Sequence, residues 1–262
     1  MNLNLTNKRA LVTGSTEGIG RAIAQSLAAE GARVIINGRN RQKAQAIADT
    51  IPGATVAIGD LSTPAGAAQA IAEIRAGGPL DILINNVGFF EVKPLAQLED
   101  ADWQGMFDKN VMSSVRMSKA FLPEMLQRKT GRIVFIASEQ SAKPNPEMLH
   151  YAMTKAAQVS ISRGLAELTR GTGVTVNSVL VAPTWTEGVE RFLGDAAKEA
   201  GTTRDALRDD YFVNGDGVSS LIARFAQPEE IAAQVTFLCS SQAAAVNGAA
   251  QRVDGGIIRS ML

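Results

Sequence analysis

Tyr151 and Lys155 stand four residues apart, and Ser138 precedes Tyr151 by thirteen residues. In an α-helix, a spacing of four places a phenol and an ammonium on one face, about one turn (roughly 5.4 Å) from each other. A free tyrosine titrates near about 10, and a fixed positive neighbour lowers that pKa because it favours the phenolate. The spacing therefore predicts a Tyr151 hydroxyl that serves as acid or base near neutral pH, with Ser138 donating to a carbonyl oxygen. A Tyr-x-x-x-Lys pair is also common on solvated helices, so its meaning depends on the rest of the chain.

Polar residues and glycines follow the apolar, strand-like runs of the chain at the point where each run ends. The runs and the residues that follow them are 9–13 with Gly14, 33–37 with Gly38-Arg39, 55–58 with Gly59-Asp60, 80–84 with Asn85-Asn86, and 132–137 with Ser138. Helical segments alternate with these runs, which predicts a doubly wound parallel sheet whose ligands lie outside the carboxyl ends of the strands. We therefore expect a single Rossmann-type domain over residues 1–262, with about seven strands and helices on both faces.

The turn after the first run is rich in glycine, with Gly14, Gly18 and Gly20 preceding a helical segment that stops at Gly31. Such a turn lets the backbone approach a pyrophosphate closely, and the N-terminus of the next helix favours an anion. The spacing G-x-x-x-G-x-G differs from the G-x-G-x-x-G of the standard dinucleotide fingerprint. Glycines here also suit tight strand-to-helix packing, so both interpretations stay open.

The second run ends at Gly38-Arg39, about 20 residues past the last glycine of the turn, where NAD-binding folds place a carboxylate on the ribose 2′-hydroxyl. A guanidinium at this place suits a 2′-phosphate, which arginine binds bidentately. The sequence therefore favours NADP(H) over NAD(H). Arg39 and Arg41 also suit the start of a solvated helix, and Glu17 inside the glycine turn does not favour a phosphate.

The composition argues against several classes of protein. Lys plus Arg equals Asp plus Glu at 26 each, so nucleic acid and anionic membranes are not expected partners. No apolar stretch of about 18 residues occurs, and the amino-terminal residues show no leader pattern, so we expect a soluble, cytoplasmic protein. The only cysteine, Cys239, lies on an apolar helical face. The only histidine, His150, is expected to be a polar loop residue, and the alternative is that it faces substrate. No metal site is expected.

These motifs together resemble the short-chain dehydrogenase/reductase family. The resemblance runs from about Lys8 to Gly256 and implies a nicotinamide-dependent oxidoreductase, similar in length and layout to bacterial 3-oxoacyl-carrier-protein reductases and related carbonyl reductases. The residues that carry it are Gly14, Gly18, Gly20, Asp60, Asn85 to Gly88, Asn110, Ser138, Tyr151, Lys155 and the closing Val253-Asp254-Gly255-Gly256.

The resemblance also implies a role for each residue. Tyr151 would be the general acid in reduction and the base in oxidation, and Ser138 would hold the substrate oxygen. Lys155 would lower the pKa of the tyrosine and bind the nicotinamide ribose, while Asn110 would hold a water linking Lys155 to solvent. Asp60 would meet the adenine. The implied cofactor contacts are Gly14, Ser15, Thr16, Gly18, Ile19, Gly20, Arg39, Asp60, Leu61, Asn86, Val87, Gly88, Tyr151, Lys155, Thr184 and Thr186.

Two positions depart from the family pattern. Val181-Ala182 replaces the usual Pro-Gly after the sixth strand, which makes that turn less preset, although Thr186 keeps the expected spacing. Glu139 follows Ser138, where the family has small residues. Its carboxylate would either address a polar substrate or point to solvent.

The long segment without a strand pattern, residues 187–222, is expected to be a helical substrate lid. The helices over 111–125 and 156–168 carry small and apolar residues on more than one face, so we expect a homotetramer. The expected function is NADP(H)-dependent reduction of a ketone or oxidation of a secondary alcohol. An NAD-dependent alcohol dehydrogenase and a non-catalytic dinucleotide-sensing regulator are the alternatives.

Overall fold

The computed structural model describes residues 3–261, so Met1, Asn2 and Leu262 of the expected domain lie outside the described part. Seven parallel strands form one sheet in the order β3-β2-β1-β4-β5-β6-β7. The predicted doubly wound parallel sheet is therefore confirmed. The strands are β1 (Arg9–Val12), β2 (Arg33–Gly38), β3 (Thr55–Ile58), β4 (Ile82–Asn85), β5 (Thr130–Ile136), β6 (Gly173–Val181) and β7 (Ala250–Val253).

Helices cover both faces of the sheet, because parallel strands are joined by crossovers that place a helix on one face or the other. Side chains of α1, α2 and α9 form the core on one face, and those of α3, α5 and α6 form it on the opposite face. The α-helices of residues 3–261 are α1 (Gly18–Ala29), α2 (Arg41–Ala48), α3 (Pro64–Ala76), α4 (Asp100–Phe107), α5 (Ser113–Arg128), α6 (Leu149–Glu167), α7 (Glu187–Glu199), α8 (Arg204–Asp210) and α9 (Pro228–Cys239).

The strand order reverses between β1 and β4, and this switch point is where open α/β sheets bind their ligands. The chain ties the two strand ends together there. The hydroxyl of Thr13 accepts hydrogen bonds from the backbone N–H groups of Asn86 (2.8 Å) and Val87 (3.1 Å). The side chain of Asn86 donates to the carbonyl oxygens of Thr13 (2.9 Å) and Gly14 (3.2 Å). These bonds fix the walls of the crevice.

A π-helical turn, Asp108–Met112, joins α4 to α5. The sequence predicts a long helical segment here, with Asn110 either distorting it or making a buried polar contact, and the structure shows both. Asn110 is fully buried inside the π-turn. Its side chain bonds the backbone of Phe89, in the loop after β4.

The segment 187–222 is helical, with α7, α8 and a short 3₁₀ turn, Asp216–Ser219. An aromatic cluster anchors it to the body of the domain. Phe225 lies 5.2 Å from Trp185, 5.0 Å from Tyr211 and 4.9 Å from Phe212, measured between ring centroids. Such ring pairs add stabilisation beyond the area that they bury.

Residues 3–261 bear neither a membrane-spanning helix nor a cluster of metal ligands. None of the helices is both long and apolar enough to cross a bilayer. No group of three or more His, Cys, Asp or Glu side chains is placed to hold a metal ion. Cys239 lies buried at the end of α9, where burial raises the pKa of its thiol to about 12.

Candidate active site

Three predicted catalytic residues meet beyond the end of β5. Ser138 lies two residues past Ile136, the last residue of β5, and Tyr151 and Lys155 lie on the first turns of α6. The ammonium of Lys155 donates to the carbonyl oxygen of Ile136 at 2.8 Å and lies 5.6 Å from the centroid of the Tyr151 ring. The carbonyl at the strand end therefore fixes the lysine beside the phenol.

The pKa of Tyr151 does not follow the expected direction. Desolvation by burial raises it, the nearby carboxyl of Glu139 raises it further, and a hydrogen bond with Ser138 opposes both. The expected lowering is therefore wrong for this arrangement. Lys155 is itself buried, which lowers the pKa of its ammonium to about 8. A tyrosine that stays protonated at neutral pH suits proton donation.

Asn110 connects the π-turn to α6. Its side-chain amide donates to the hydroxyl of Thr154 at 3.0 Å, and its backbone carbonyl accepts from the side chain of Gln158 at 2.8 Å. Both partners belong to α6, and both are buried. Asn110 therefore holds the helix that carries Tyr151 and Lys155. Its role in binding a water stays a prediction.

The glycine turn has the shape that close approach of a ligand requires. Gly14 and Gly18 adopt positive φ angles of 61° and 56°, which other residues rarely adopt. At Gly20, a Cβ would lie 2.4 Å from the side-chain nitrogen of Asn86 and 2.5 Å from the carbonyl oxygen of Gly14, so no side chain fits. Glu17, which precedes α1, does not cap it with its side chain, and the first turn of α1 carries no acidic residue.

The remaining residues of the turn have different surroundings. The hydroxyl of Ser15 is buried and donates to the carbonyl oxygen of Val12 at 2.7 Å. Thr16 faces the end of β2, where its methyl carbon would lie 2.7 Å from a Cβ at Gly38. Ile19 is half-buried on α1. Ser15 therefore shapes the turn, while Thr16 lies next to the predicted 2′-phosphate position.

Two arginines follow the end of β2, and they differ in their partners. Arg41 pairs with Glu73 at 2.8 Å, whereas the exposed side chain of Arg39 makes no hydrogen bond or ion pair among residues 3–261. Glu17, the residue that argued against a phosphate, accepts from Lys43 at 2.7 Å. This hydrogen bond, with the positive charges around it, lowers the pKa of Glu17. Its charge is thus offset by cations of the protein.

Asp60 lies at the end of β3, on the same edge of the sheet as Arg39. Desolvation disfavours its charge, but hydrogen bonds from Ser62 and the nearby cations Arg39 and Lys109 outweigh it, and together they lower the pKa of Asp60. Its carboxylate accepts from the backbone N–H of Ser62 at 3.0 Å. The side chain of the next residue, Leu61, is buried in the core.

The opposite wall of the crevice is formed after β4 and β6. A Cβ at Gly88 would lie 3.3 Å from the ammonium of Lys155, so a larger residue would press on the lysine. Thr186 caps α7 by accepting from the backbone N–H of Val189 at 3.3 Å, and it packs against Gly18. The hydroxyl of Thr184 is buried and donates to the carbonyl oxygen of Ala182, so it is directed into its own loop.

Two residues next to the catalytic set are buried against expectation. Glu139 is 5% exposed, so the alternative in which its carboxylate points to solvent is wrong. Its place in the 3₁₀ turn Glu139–Ser141 directs it inward. His150 is fully buried on α6, and its ring lies 6.2 Å from that of Trp103, so it is not a polar loop residue.

Several residues near the site could not be found from sequence spacing. The ring of Phe90 lies 6.5 Å from Tyr151 and 5.7 Å from Phe192 of α7, which gives the crevice an apolar wall. Burial raises the pKa of Tyr211, in the segment 187–222, and the nearby acidic groups of Asp216, Glu139 and Tyr151 raise it further. The aromatic residues after Asn86 were a signal for Phe90, but no pattern in the sequence pointed to a residue such as Asp216.

A sequence profile identifies the protein family to which this chain belongs. The sequence profile of the family described as short chain dehydrogenase matches residues 8–195. The chain belongs to the short-chain dehydrogenase family. It is therefore an oxidoreductase, as the resemblance predicted.

Relatives of this short-chain dehydrogenase agree with the assignment over the full chain. It is 50% identical to the uncharacterized oxidoreductase YvrD of Bacillus subtilis, with all of both chains covered. It is 35% identical to the 3-oxoacyl-[acyl-carrier-protein] reductase FabG of Escherichia coli, over 97% of this chain and 99% of that protein. The structure of L-sorbose reductase from Gluconobacter frateurii, complexed with NADPH and L-sorbose, superposes with a TM-score of 0.93 at 30% identity, and all of both chains is covered.

The crevice of this dehydrogenase fits a dinucleotide on the evidence of its own residues. The glycine turn leaves no room for side chains, Thr186 and Gly88 line the opposite wall, and the free guanidinium of Arg39 stands at the far end. Ser138, Tyr151 and Lys155 lie at the near end, below the aromatic wall. The arrangement can therefore hold a carbonyl oxygen and supply a proton to it.

Proposed function

We propose that this protein is an NADP(H)-dependent oxidoreductase that reduces a ketone or oxidises a secondary alcohol, with Tyr151 as the proton donor or acceptor. The observation that carries the proposal is the meeting of Ser138, Tyr151 and Lys155 beside the glycine turn. NADP(H), when bound, supplies or accepts the hydride. The glycine turn, Asp60, Asn86 to Gly88 and Thr186 would bind it, and Arg39 would bind its 2′-phosphate.

The chain's own residues would divide the rest of the work. Ser138 holds the substrate oxygen, and Tyr151 gives it a proton during reduction. Lys155, fixed by the carbonyl of Ile136, would bind the nicotinamide ribose and carry the positive charge that stabilises negative charge on the phenol oxygen. In oxidation the proton moves along the same path in the opposite direction, so Tyr151 accepts it from the substrate hydroxyl.

The test is turnover of ketones, oxoacyl thioesters, sugars and steroids with NADPH and NADH, followed by Tyr151→Phe. Removing a general acid costs about 10²- to 10⁴-fold in rate, and we expect a loss of this size in kcat with NADPH binding retained. The edge contact between Phe90 and residue 151 survives the substitution, so the fold should be unchanged. Wild-type turnover by Tyr151→Phe would remove the mechanism. Tight NADPH binding without turnover of any carbonyl compound would instead favour a dinucleotide sensor.

We also propose that the protein is a homotetramer built on α5 and α6. Ile161 and Leu165 of α6 are half-buried, and Leu168, just past its end, is 60% exposed. Apolar residues at such positions suit packing against a second copy. Light scattering at micromolar concentration should give the mass of four chains, and a monomer would refute the proposal.

A further inference from the structure

Glu139 is a buried carboxyl that contacts the catalytic serine directly. One of its oxygens is hydrogen-bonded to the hydroxyl of Ser138, and the other accepts from the side-chain amide of Gln140 at 3.0 Å. At 5% exposure it has almost no water to replace these partners. The role inferred below for Glu139 rests on the proposed function, in which Ser138 holds a substrate oxygen.

The hydrogen bonds of Ser138 constrain the protonation state of its neighbour. A serine hydroxyl has one proton to donate and two lone pairs that accept. Ser138 accepts one hydrogen bond from the backbone N–H of Gln140 at 3.1 Å. An ionised Glu139 only accepts, so it would take the single proton of Ser138 and leave none for a substrate. A neutral Glu139 donates to the second lone pair of Ser138 and leaves that proton for the third partner of the hydroxyl, which is Tyr151 in the absence of substrate.

We propose that Glu139 works as a neutral carboxylic acid that donates a hydrogen bond to Ser138 and thereby directs the Ser138 proton toward the substrate oxygen. Glu139 is then a positioning residue, which acts through Ser138. The two bonds of its carboxyl fit this state, because a carboxylic acid has one O–H that donates and one C=O that accepts. The C=O is the oxygen that accepts from Gln140.

The groups around Glu139 mostly favour the neutral form. The side-chain amide of Gln140 donates its second proton to the carboxylate of Asp216 at 3.1 Å, so a negative charge lies near Glu139. The ammonium of Lys143 pairs with Asp216 at 2.6 Å and offsets that charge. Burial raises the pKa of Glu139, and Asp216 raises it further, against hydrogen bonds from Ser138 and Gln140 that lower it.

Two tyrosines and a lysine complete the surroundings. Tyr151 and Tyr211 face Glu139 as neutral phenols, because burial raises the pKa of both. Lys155 is a cation that would favour an ionised Glu139, but its ammonium donates to the carbonyl of Ile136, and the two side chains form no ion pair. The proton on Glu139 is therefore not displaced by a direct contact with a cation.

The test is a pair of substitutions of similar size. Glu139→Gln keeps one donor for Ser138 and one acceptor for Gln140, so kcat/KM for ketone reduction at neutral pH should stay within about threefold of wild type. Glu139→Leu removes both, and kcat/KM should fall by about tenfold or more because Ser138 loses its alignment. A glutamine variant that loses as much activity as the leucine variant would overturn the proposal.

Two further measurements separate positioning from a structural role. The wild-type rate should fall as rising pH ionises Glu139, and the glutamine variant should lack this ionisation because an amide does not titrate. Infrared difference spectra of wild type against Glu139→Gln, without substrate, should show the C=O stretch of a protonated carboxylic acid at neutral pH. A carboxylate band in its place would refute the proposal. Failure of the wild type to reduce any ketone would instead refute the proposed function, and the infrared result would still decide the protonation state.

Discussion

The side chain of Asn110 forms two hydrogen bonds with the backbone of Phe89. Its oxygen accepts from the N–H of Phe89 at 2.8 Å, and its nitrogen donates to the carbonyl oxygen of Phe89 at 2.9 Å. The amide thus pairs with the loop after β4 as a strand would. Because Phe90 follows and contacts Tyr151, Asn110 sets the apolar wall of the crevice as well as the position of α6.

Asn110→Ala should destabilise the protein and impair substrate binding. The substitution removes two partly buried hydrogen bonds with the backbone of Phe89 and a buried one with the hydroxyl of Thr154, and each hydrogen bond contributes about 0.5–1.5 kcal/mol. We expect the free energy of unfolding to fall by about 2–3 kcal/mol and KM to rise. Asn214→Ala is the control, because Asn214 is exposed and bonds only Asp210 among residues 3–261. Denaturant unfolding that gives equal stabilities for the two variants would contradict this role.

Arg39→Ala should weaken NADPH binding far more than NADH binding. The free guanidinium stands where a 2′-phosphate is proposed, and a charge-assisted hydrogen bond contributes about 1.5–3 kcal/mol, or roughly 10- to 100-fold in Kd. Arg41→Ala is the matched control, since Arg41 is already paired with Glu73 and should affect both cofactors slightly and alike. Titration by fluorescence gives the four dissociation constants. Equal losses for NADPH and NADH in Arg39→Ala would favour the NAD-dependent alternative.

The first helix of the segment 187–222, α7, is held to the glycine turn by its acidic end. Glu187 pairs with Arg21 at 2.7 Å and accepts from the backbone N–H of Gly18 at 2.9 Å, while Arg191 pairs with Glu17 at 3.0 Å. The pair with Arg21 is partly exposed and contributes little by itself. The charge-assisted bond to a backbone N–H contributes more.

Glu187→Gln should therefore loosen α7 without unfolding the domain. A loss of about 1 kcal/mol corresponds to amide hydrogens in α7 that exchange roughly fivefold faster. Glu199→Gln, at the exposed far end of α7, should leave exchange unchanged. Hydrogen exchange followed by mass spectrometry measures both, and equal protection in the two variants would show that Glu187 does not hold α7.

The positions of the residues that follow each strand were predictable, because parallel strands have their carboxyl ends at the same side of the sheet. Gly14, Arg39, Asp60, Asn86 and Ser138 each follow an apolar run, and that alone places them on one side of the sheet. The spacing of Tyr151 and Lys155 likewise follows from helical geometry. These predictions need only the local periodicity of the chain.

The surroundings of the catalytic groups were not predictable, because they depend on contacts between distant segments. The turn that carries Glu139 is bonded through Gln140 to Asp216, which is distant in sequence, and His150 packs against Trp103 of α4. The pKa of Tyr151 was expected to fall because its lysine neighbour is visible in the sequence, whereas desolvation is not.

The lowered pKa of Lys155 predicts how the rate of ketone reduction depends on pH. Burial lowers the pKa of its ammonium from 10.5 to about 8. Because the proposed mechanism needs the charged form, kcat/KM for ketone reduction should be lost as pH rises toward about 8 in the Glu139→Gln variant, where residue 139 does not titrate and no longer raises the pKa of Lys155. A flat profile up to pH about 10 would show that the charge of Lys155 is not needed.

The same shift predicts how stability changes with pH. Between pH about 8 and about 10.5 the unfolded chain binds a proton that the folded Lys155 does not, so this group makes the free energy of unfolding rise with pH over that window. Below pH 8 the buried charge is a cost that Lys155→Met removes. Lys155→Met should therefore be inactive, and its stability relative to wild type should be most favourable near pH 7, although it also loses the hydrogen bond to the carbonyl oxygen of Ile136. This relative stability should decline toward pH about 10, because the wild-type lysine is then neutral in the folded state. A stability difference that stays constant from pH 7 to pH about 10 would show that Lys155 keeps its ordinary pKa.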